Sequence, residues 1–266
     1  MATSASSSLG RRNAEHERLR LQSRVWEPAG RALAADLELP VGARVLDVGC
    51  GALGWLSVLA DRVPDGVVVG TDVDARLLAL AGETCERAGY DHVRLIEDDL
   101  FRSALPAGMF DLVHARFQLY PLGRAAEQLA AYRRLLRPDG VLVLEDPDIR
   151  TWTFEPYAPC TATLIGRVGQ AVSQAGGSLD MGRRLPALLR AAGLKPSTRT
   201  HALGLEPGHP YLRLPLQIAD ALAPQLVELL GHDELAALRD AAAAEIDDPG
   251  RRGTTFTLVQ SWARVG

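Results

Sequence analysis

Apolar positions along this chain follow two alternating patterns, and the alternation predicts the architecture. Short, nearly unbroken runs occur at 45–48 (VLDV), 67–70 (VVVG), 93–96 (VRLI), 110–113 (FDLV) and 141–144 (VLVL). Their length and β-branched content suit strands buried on both faces. Stretches with helical spacing lie around and between them. Residues 14–37 place Leu19, Leu21, Val25, Leu33 and Leu37 for one or two amphipathic helices, with Pro28 dividing them or opening the second. Further helices are predicted from Leu56 to Ala60, over 75–88 up to Gly89, and over 123–136, before a turn at Arg137-Pro138-Asp139-Gly140.

Strands and helices alternating at this spacing predict a parallel sheet covered on both faces. Ligands of such sheets sit beyond the carboxyl ends of the strands. Asp47, Asp72, Asp98 and Glu145 fall at those ends, so four acids converge on one edge. Beyond residue 150 the pattern is less regular. Helices are predicted over 160–175, 182–193 and within the Leu/Ala-rich 214–246, and strands over 197–205 and 254–265.

Composition narrows the function. The 266 residues are 47% apolar and 23% charged, as in an ordinary globular protein. A net charge of −4 provides no basic stripe for nucleic acid and no polybasic membrane anchor. No apolar run reaches the ~18 residues of a membrane span. The start of the chain is polar, and residues 1–12 read as a disordered tail without a signal peptide. Cys50, Cys85 and Cys160 are odd in number and widely spaced, so neither a disulfide framework nor a metal site is expected, and a reducing cytoplasm fits.

Candidate chemistry centres on 44–55, RVLDVGCGALGW, a G-x-G-x-x-G turn with an acid two residues before its first glycine. A dinucleotide would set its pyrophosphate on this turn, and Asp47 would repel that anion. S-adenosylmethionine carries no phosphate and has an ammonium and a sulfonium. For it, bare glycines allow close approach and Asp47 favours the positive end. Asp72, at the second strand's end, suits two ribose hydroxyls in either case. Asp98 suits the amine of adenine, with a backbone amide near Asp99 or Leu100 reaching a ring nitrogen. Plainer roles compete: Asp74 as a helix cap, Asp111 as a structural acid, Cys50 as a backbone contact, and His114, His201 and His209 as structural histidines.

The stretches 45–54, 67–78, 93–100, 110–122 and 135–148 together resemble the class I S-adenosylmethionine-dependent methyltransferases, in that family's order and spacing. The resemblance covers roughly residues 14–150 and is nearest the bacterial natural-product and quinone-type members. It implies an α/β, Rossmann-like, seven-stranded, mostly parallel sheet with helices on both faces and a helical cap built from insertions. It implies lid helices and a cofactor-binding core over 13–150, cap insertions at 151–182 and 206–250, and returns to the sheet at 183–205 and 251–266. By resemblance Asp47, Gly49, Cys50 and Gly51 meet the methionyl part, Asp72 and Val73 the ribose, and Asp98, Asp99 and Leu100 the adenine. Arg116 lines the cofactor, while Gln22 and Trp26 cover it.

DNA amino-methyltransferases of this class carry an Asn/Asp/Ser-Pro-Pro-Tyr/Phe tetrapeptide after the fourth strand. Here that place reads His114-Ala115-Arg116-Phe117. The substrate expected is therefore a small, rather hydrophobic, even aromatic metabolite, met by Tyr120, Trp152, Tyr157 and Tyr211. The methyl is already activated, so alignment matters more than a base; Tyr120 and His114 are the candidates for catalysis. Rival readings are a non-methylating reaction such as cyclisation on the same cofactor, a nicotinamide oxidoreductase, and a binding partner without activity. The 214–246 helices serve equally as a pocket lid or as the surface of a homodimer.

Overall fold

The computed structural model describes residues 2–52 and 54–266, with side chains described for residues 17–52 and 54–266. The tail expected over 1–12 lies outside the residues whose side chains are described. The chain opens with α1 (Ala2–Asp36), which runs unbroken through Pro28. The expected division there does not occur, and Trp26, Ala29, Leu33 and Ala34 on both sides of Pro28 are buried together against the rest of the protein.

Then follow β1 (Arg44–Val48), α2 (Leu56–Arg62), β2 (Val67–Asp72), α3 (Ala75–Ala88), β3 (Val93–Glu97), β4 (Phe110–Arg116), α4 (Leu119–Leu122), α5 (Ala125–Leu135) and β5 (Leu136–Asp148). α3 shows how local sequence sets an element. Asp74 accepts from the Arg76 N–H at 2.9 Å, capping its start. Leu78, Ala81 and Cys85 form its buried face, and Gly89 ends it at φ 73°. The predicted turn at Arg137–Gly140 is instead absorbed into β5. Leu136 pairs with Phe110 and Val141 with Leu112, so the residues between bulge out, with Asp139 at φ 62°.

The remainder is β6 (Thr153–Glu155), α6 (Pro159–Gln174), α7 (Met181–Ala191), β7 (Ser197–His201), β8 (Gly204–Leu205), α8 (Leu214–Ala221), α9 (Ala223–Leu230), α10 (His232–Ile246), β9 (Arg252–Thr254) and β10 (Thr257–Arg264). One seven-stranded sheet has the order β3-β2-β1-β4-β5-β10-β7, and β10 runs antiparallel to β5 and β7. The strand order reverses between β1 and β4, which opens a crevice at their carboxyl ends. A small second sheet, β6-β9-β8, lies outside it. No helix among the described residues is long and apolar enough to cross a membrane.

Helices α6, α8, α9 and α10 pack on one another and on α1 to form a cap. Glu245 of α10 accepts from the N–H groups of Cys160 and Thr161 at 2.9 and 2.8 Å, a carboxylate at the positive start of α6. Beneath the cap is an aromatic cluster. Phe256 stacks on Trp26 at 5.3 Å and meets Trp152 edge-on at 5.5 Å, and Tyr211 stands 6.1 Å away. The Trp26 indole N–H donates to the Tyr211 hydroxyl at 2.8 Å, with both side chains fully buried.

Tyr211→Phe leaves that indole N–H without a partner. It is expected to lower stability by about 1–3 kcal/mol, read as a shift in the urea midpoint at constant slope.

Candidate active site

The first turn of the crevice is built by Asp47. Its Oδ2 accepts from the Trp55 N–H at 2.9 Å, folding the glycine turn over the end of β1. Gly49, Gly51 and Gly54 all have positive φ. A Cβ on Gly54 would stand 2.3 Å from the Cys50 carbonyl and 2.7 Å from Asp47, so only glycine fits there. A Cβ on Gly49 would strike the Gln118 amide at 2.2 Å.

Behind the turn lies a buried cluster of ions. β1 and β4 place Asp47 beside His114, and β4 and β5 place Arg116 beside Glu145. His114 Nδ1 is 2.7 Å from Asp47, and its Nε2 is 3.3 Å from Glu145. Each ring nitrogen faces a carboxylate, an arrangement that favours the protonated ring. Burial favours the neutral ring, but Asp47, and then Glu145, outweigh it and raise the His114 pKa. Burial likewise opposes ionisation of Glu145, yet Arg116 and His114 hold it down to about 2. Glu145 also accepts from the Trp55 indole at 2.9 Å, from Arg116 and from Gln260. Trp55 stacks on the His114 ring at 4.0 Å. Gln260 reaches on to the Ala29 carbonyl at 3.2 Å, and Gly30 lets α1 close on Trp55 and Arg116.

A cavity of about 340 Å³ opens above this cluster. One side is the turn, with Asp47, Gly49, Cys50, Gly51 and Gly54, flanked by Gln22 and Arg18 of α1 and by Arg116. The other side is apolar: Phe117, Tyr120, Ile149, Val172, Ile218 and Phe256. Phe117 takes φ 58°, a strained conformation for an aromatic residue, immediately after β4. Its N–H is fixed to the Glu145 carbonyl at 2.8 Å.

The other predicted cofactor residues line the neighbouring strand ends, outside this cavity. Asp72 accepts from Gly51 N–H at 3.0 Å and Asp74 N–H at 2.9 Å, which joins β2 to the turn. Val73 beside it is exposed. The Asp98 N–H donates to the Asp72 carbonyl at 3.1 Å. Asp99 turns its carboxylate to the Phe101 N–H at 3.0 Å, and Leu100 starts the short 3-10 turn there.

Five predicted residues lie elsewhere. Trp26 does not cover the turn; it is buried in the aromatic cluster with Tyr211 and Trp152, and none of the three lines the cavity. Edge-to-face packing and the Trp26–Tyr211 hydrogen bond hold these rings inward. Tyr157 is 74% exposed in the loop before α6 and is likewise absent from the lining. His114 is fully buried with both nitrogens committed, so it does not reach the cavity.

The sequence reading missed Trp55, Gln118, Phe117, Gln260 and Asp146. A polar glutamine within the β-prone 257–264 run was the available signal for Gln260. Asp146 is fully buried beside α4 and accepts from the Tyr120 N–H at 2.9 Å. Burial pushes its pKa up to about 8, against the Tyr120 and Leu119 amides.

Comparison with known proteins places this geometry. The methyltransferase-domain family matches residues 45–140. Nocamycin O-methyltransferase from Saccharothrix syringae is 38% identical over 138 residues, 49% of this chain and 49% of that protein. Aklanonic acid methyltransferase from a Streptomyces strain is 32% identical over 141 residues, 53% of this chain and 64% of that protein. The chain thus spans about half to two thirds of the length of these relatives. The YcgJ protein of Bacillus subtilis shares the fold, with a TM-score of 0.59 at 16% identity over 90% of this chain and 99% of that one. By that match, residues 45–140 are a methyltransferase domain.

Glu145→Leu strands Arg116, His114 and two further donors. It is expected to cost about 3–5 kcal/mol, read by urea unfolding. Asp146 works in the opposite sense. Its folded pKa lies above that of the unfolded chain, so its contribution to stability is whole at low pH. That contribution is lost as pH rises from about 4 towards about 8. Asp146→Asn keeps the acceptor for Tyr120 and cannot ionise. Its stability relative to the parent is expected to improve by about 1–3 kcal/mol between those two pH values, measured by unfolding at each.

Proposed function

We propose that this chain binds S-adenosylmethionine at the glycine turn and transfers its methyl group to a small, rather hydrophobic metabolite held under the cap. The observation that carries this reading is the two-sided cavity: a glycine turn with polar flanks faces an apolar wall across about 340 Å³. Ligand sites of this kind are mostly apolar with a few placed polar groups.

The residues suit the cofactor. A Cβ on Gly51 would meet nothing within 4 Å, so the turn presents an open, bare face. Arg116 lines the cavity and keeps a buried, unpartnered Nη2, a donor matched to a carboxylate such as the methionyl one. In this assignment Asp47, Gly49, Cys50 and Gly51 frame the methionyl end, with Arg116 and Gln22 at its flank. Asp72, already oriented by two amides, receives the ribose with Val73 beside it; Asp98, Asp99 and Leu100 receive the adenine.

The bound cofactor supplies a methyl group activated by its sulfonium. The protein aligns the acceptor and excludes water. Tyr120 and Phe117 border the apolar wall where the acceptor rests. The likeness to nocamycin O-methyltransferase and aklanonic acid methyltransferase supports a small-molecule acceptor.

Calorimetry with S-adenosylhomocysteine, S-adenosylmethionine and NADH tests the reading. Binding of both sulfur ligands and none of NADH is expected. Asp72→Ala is expected to weaken S-adenosylhomocysteine binding by about 1–3 kcal/mol. Unchanged affinity in a folded variant would remove the ribose assignment.

A further inference from the structure

One residue of the cavity wall is held in a strained conformation. Phe117 lines the same cavity as Gly49 and Gly51 of the turn and as Val172 and Phe256 of the apolar wall. Its φ of 58° is an outlier for a bulky side chain, and strain of this kind gathers at functional sites. Three contacts hold it. Its N–H donates to the Glu145 carbonyl at 2.8 Å. Arg116, the residue before it, is tied to the Glu145 carboxylate in the buried cluster. Its ring meets Phe256 at 5.9 Å and 87°, and Phe256 is backed by Trp26 at 5.3 Å. Filling an apolar wall requires no such strain, because a residue with ordinary φ does it equally well. What the strain fixes is an aromatic ring at the border between the turn and the wall.

A ring at that border suits a cation. S-adenosylmethionine carries its sulfonium between the methionyl chain and the ribose. In the assignment above, the first goes to the glycine turn and the second to Asp72, so the sulfonium lies along the turn whose cavity Phe117 borders. Asp47 is the one acid among the described residues lining that cavity, and its oxygens are engaged by His114 and the Trp55 N–H. The face of a phenyl ring is negative and attracts a cation, more strongly where water is excluded. We infer that Phe117 is a specificity-determining residue whose ring recognises the sulfonium and so favours S-adenosylmethionine over the neutral product, S-adenosylhomocysteine. This rests on the methyl-transfer reading above. Once the methyl has left, sulfur is an uncharged thioether and the attraction is gone, while the rest of the ligand keeps its shape and hydrogen bonds. The ring thus retains the charged form and releases the spent one.

Calorimetry on the full chain at neutral pH tests this with both sulfur ligands, for the parent and for Phe117→Leu. Leucine keeps the Cβ, the apolar character and the backbone strain, and lacks the π-face. The substitution is expected to weaken S-adenosylmethionine binding on the order of fivefold and to leave S-adenosylhomocysteine binding nearly unchanged. A second protein, with pentafluorophenylalanine in place of Phe117, keeps the shape of the ring and inverts its field. The same selective loss is expected there, and this protein decides the matter if the leucine variant does not fold. If neither ligand binds the parent, the methyl-transfer reading fails and the inference with it. If both bind, and the ratio of their affinities is the same in the parent and in the folded altered proteins, that reading stands and the role of Phe117 is overturned.

Discussion

Two buried carboxylates, Asp47 and Glu145, flank His114, whose protonated form they favour, and Arg116 closes the set. With the ring protonated, two negative and two positive groups balance inside the protein. Burying these charged groups is costly, and the cost is met by mutual attraction and by donors from Trp55 and Gln260. Asp47 passes this order outward to the glycine turn through the Trp55 amide. Gln260 and Gly30 pass it to α1. The cluster thus joins strands β1, β4, β5 and β10, the turn and the first helix at the point where the sheet order reverses.

The cavity inherits its two-sided character from that arrangement. Its glycine side belongs to the domain shared with known methyltransferases, residues 45–140. Much of its apolar side comes from α6, α8 and β9–β10, outside that stretch. In the proposed function, the cofactor lies at the sheet edge and the choice of acceptor belongs to the cap. Phe117 stands where the two meet, and its strained φ is held by the hydrogen bond to the Glu145 carbonyl.

Much of this was legible in the chain. The five apolar runs, the capped helix over 75–88 and the acids after each strand are local signals. Strand and helix periods, the Asp74 cap and glycine conformations depend on near neighbours in sequence. Placing Asp47, Asp72 and Asp98 at the ends of β1, β2 and β3 needed only those periods. The bulge within β5 was not legible, because Arg137–Gly140 reads as a turn whether it ends a strand pairing or merely interrupts one.

By itself the sequence determined the order of elements, the bare turn and the line of acids on one edge of the sheet. Only the tertiary structure decided which side chains face the cavity. Trp26 meets Tyr211 across 185 residues, and that contact turns both rings into the core. His114 reads as a candidate base from its place after the fourth strand, yet the register of β1, β4 and β5 puts a carboxylate against each of its nitrogens. An element's period says which residues share a face. What that face meets depends on packing between segments far apart in the chain.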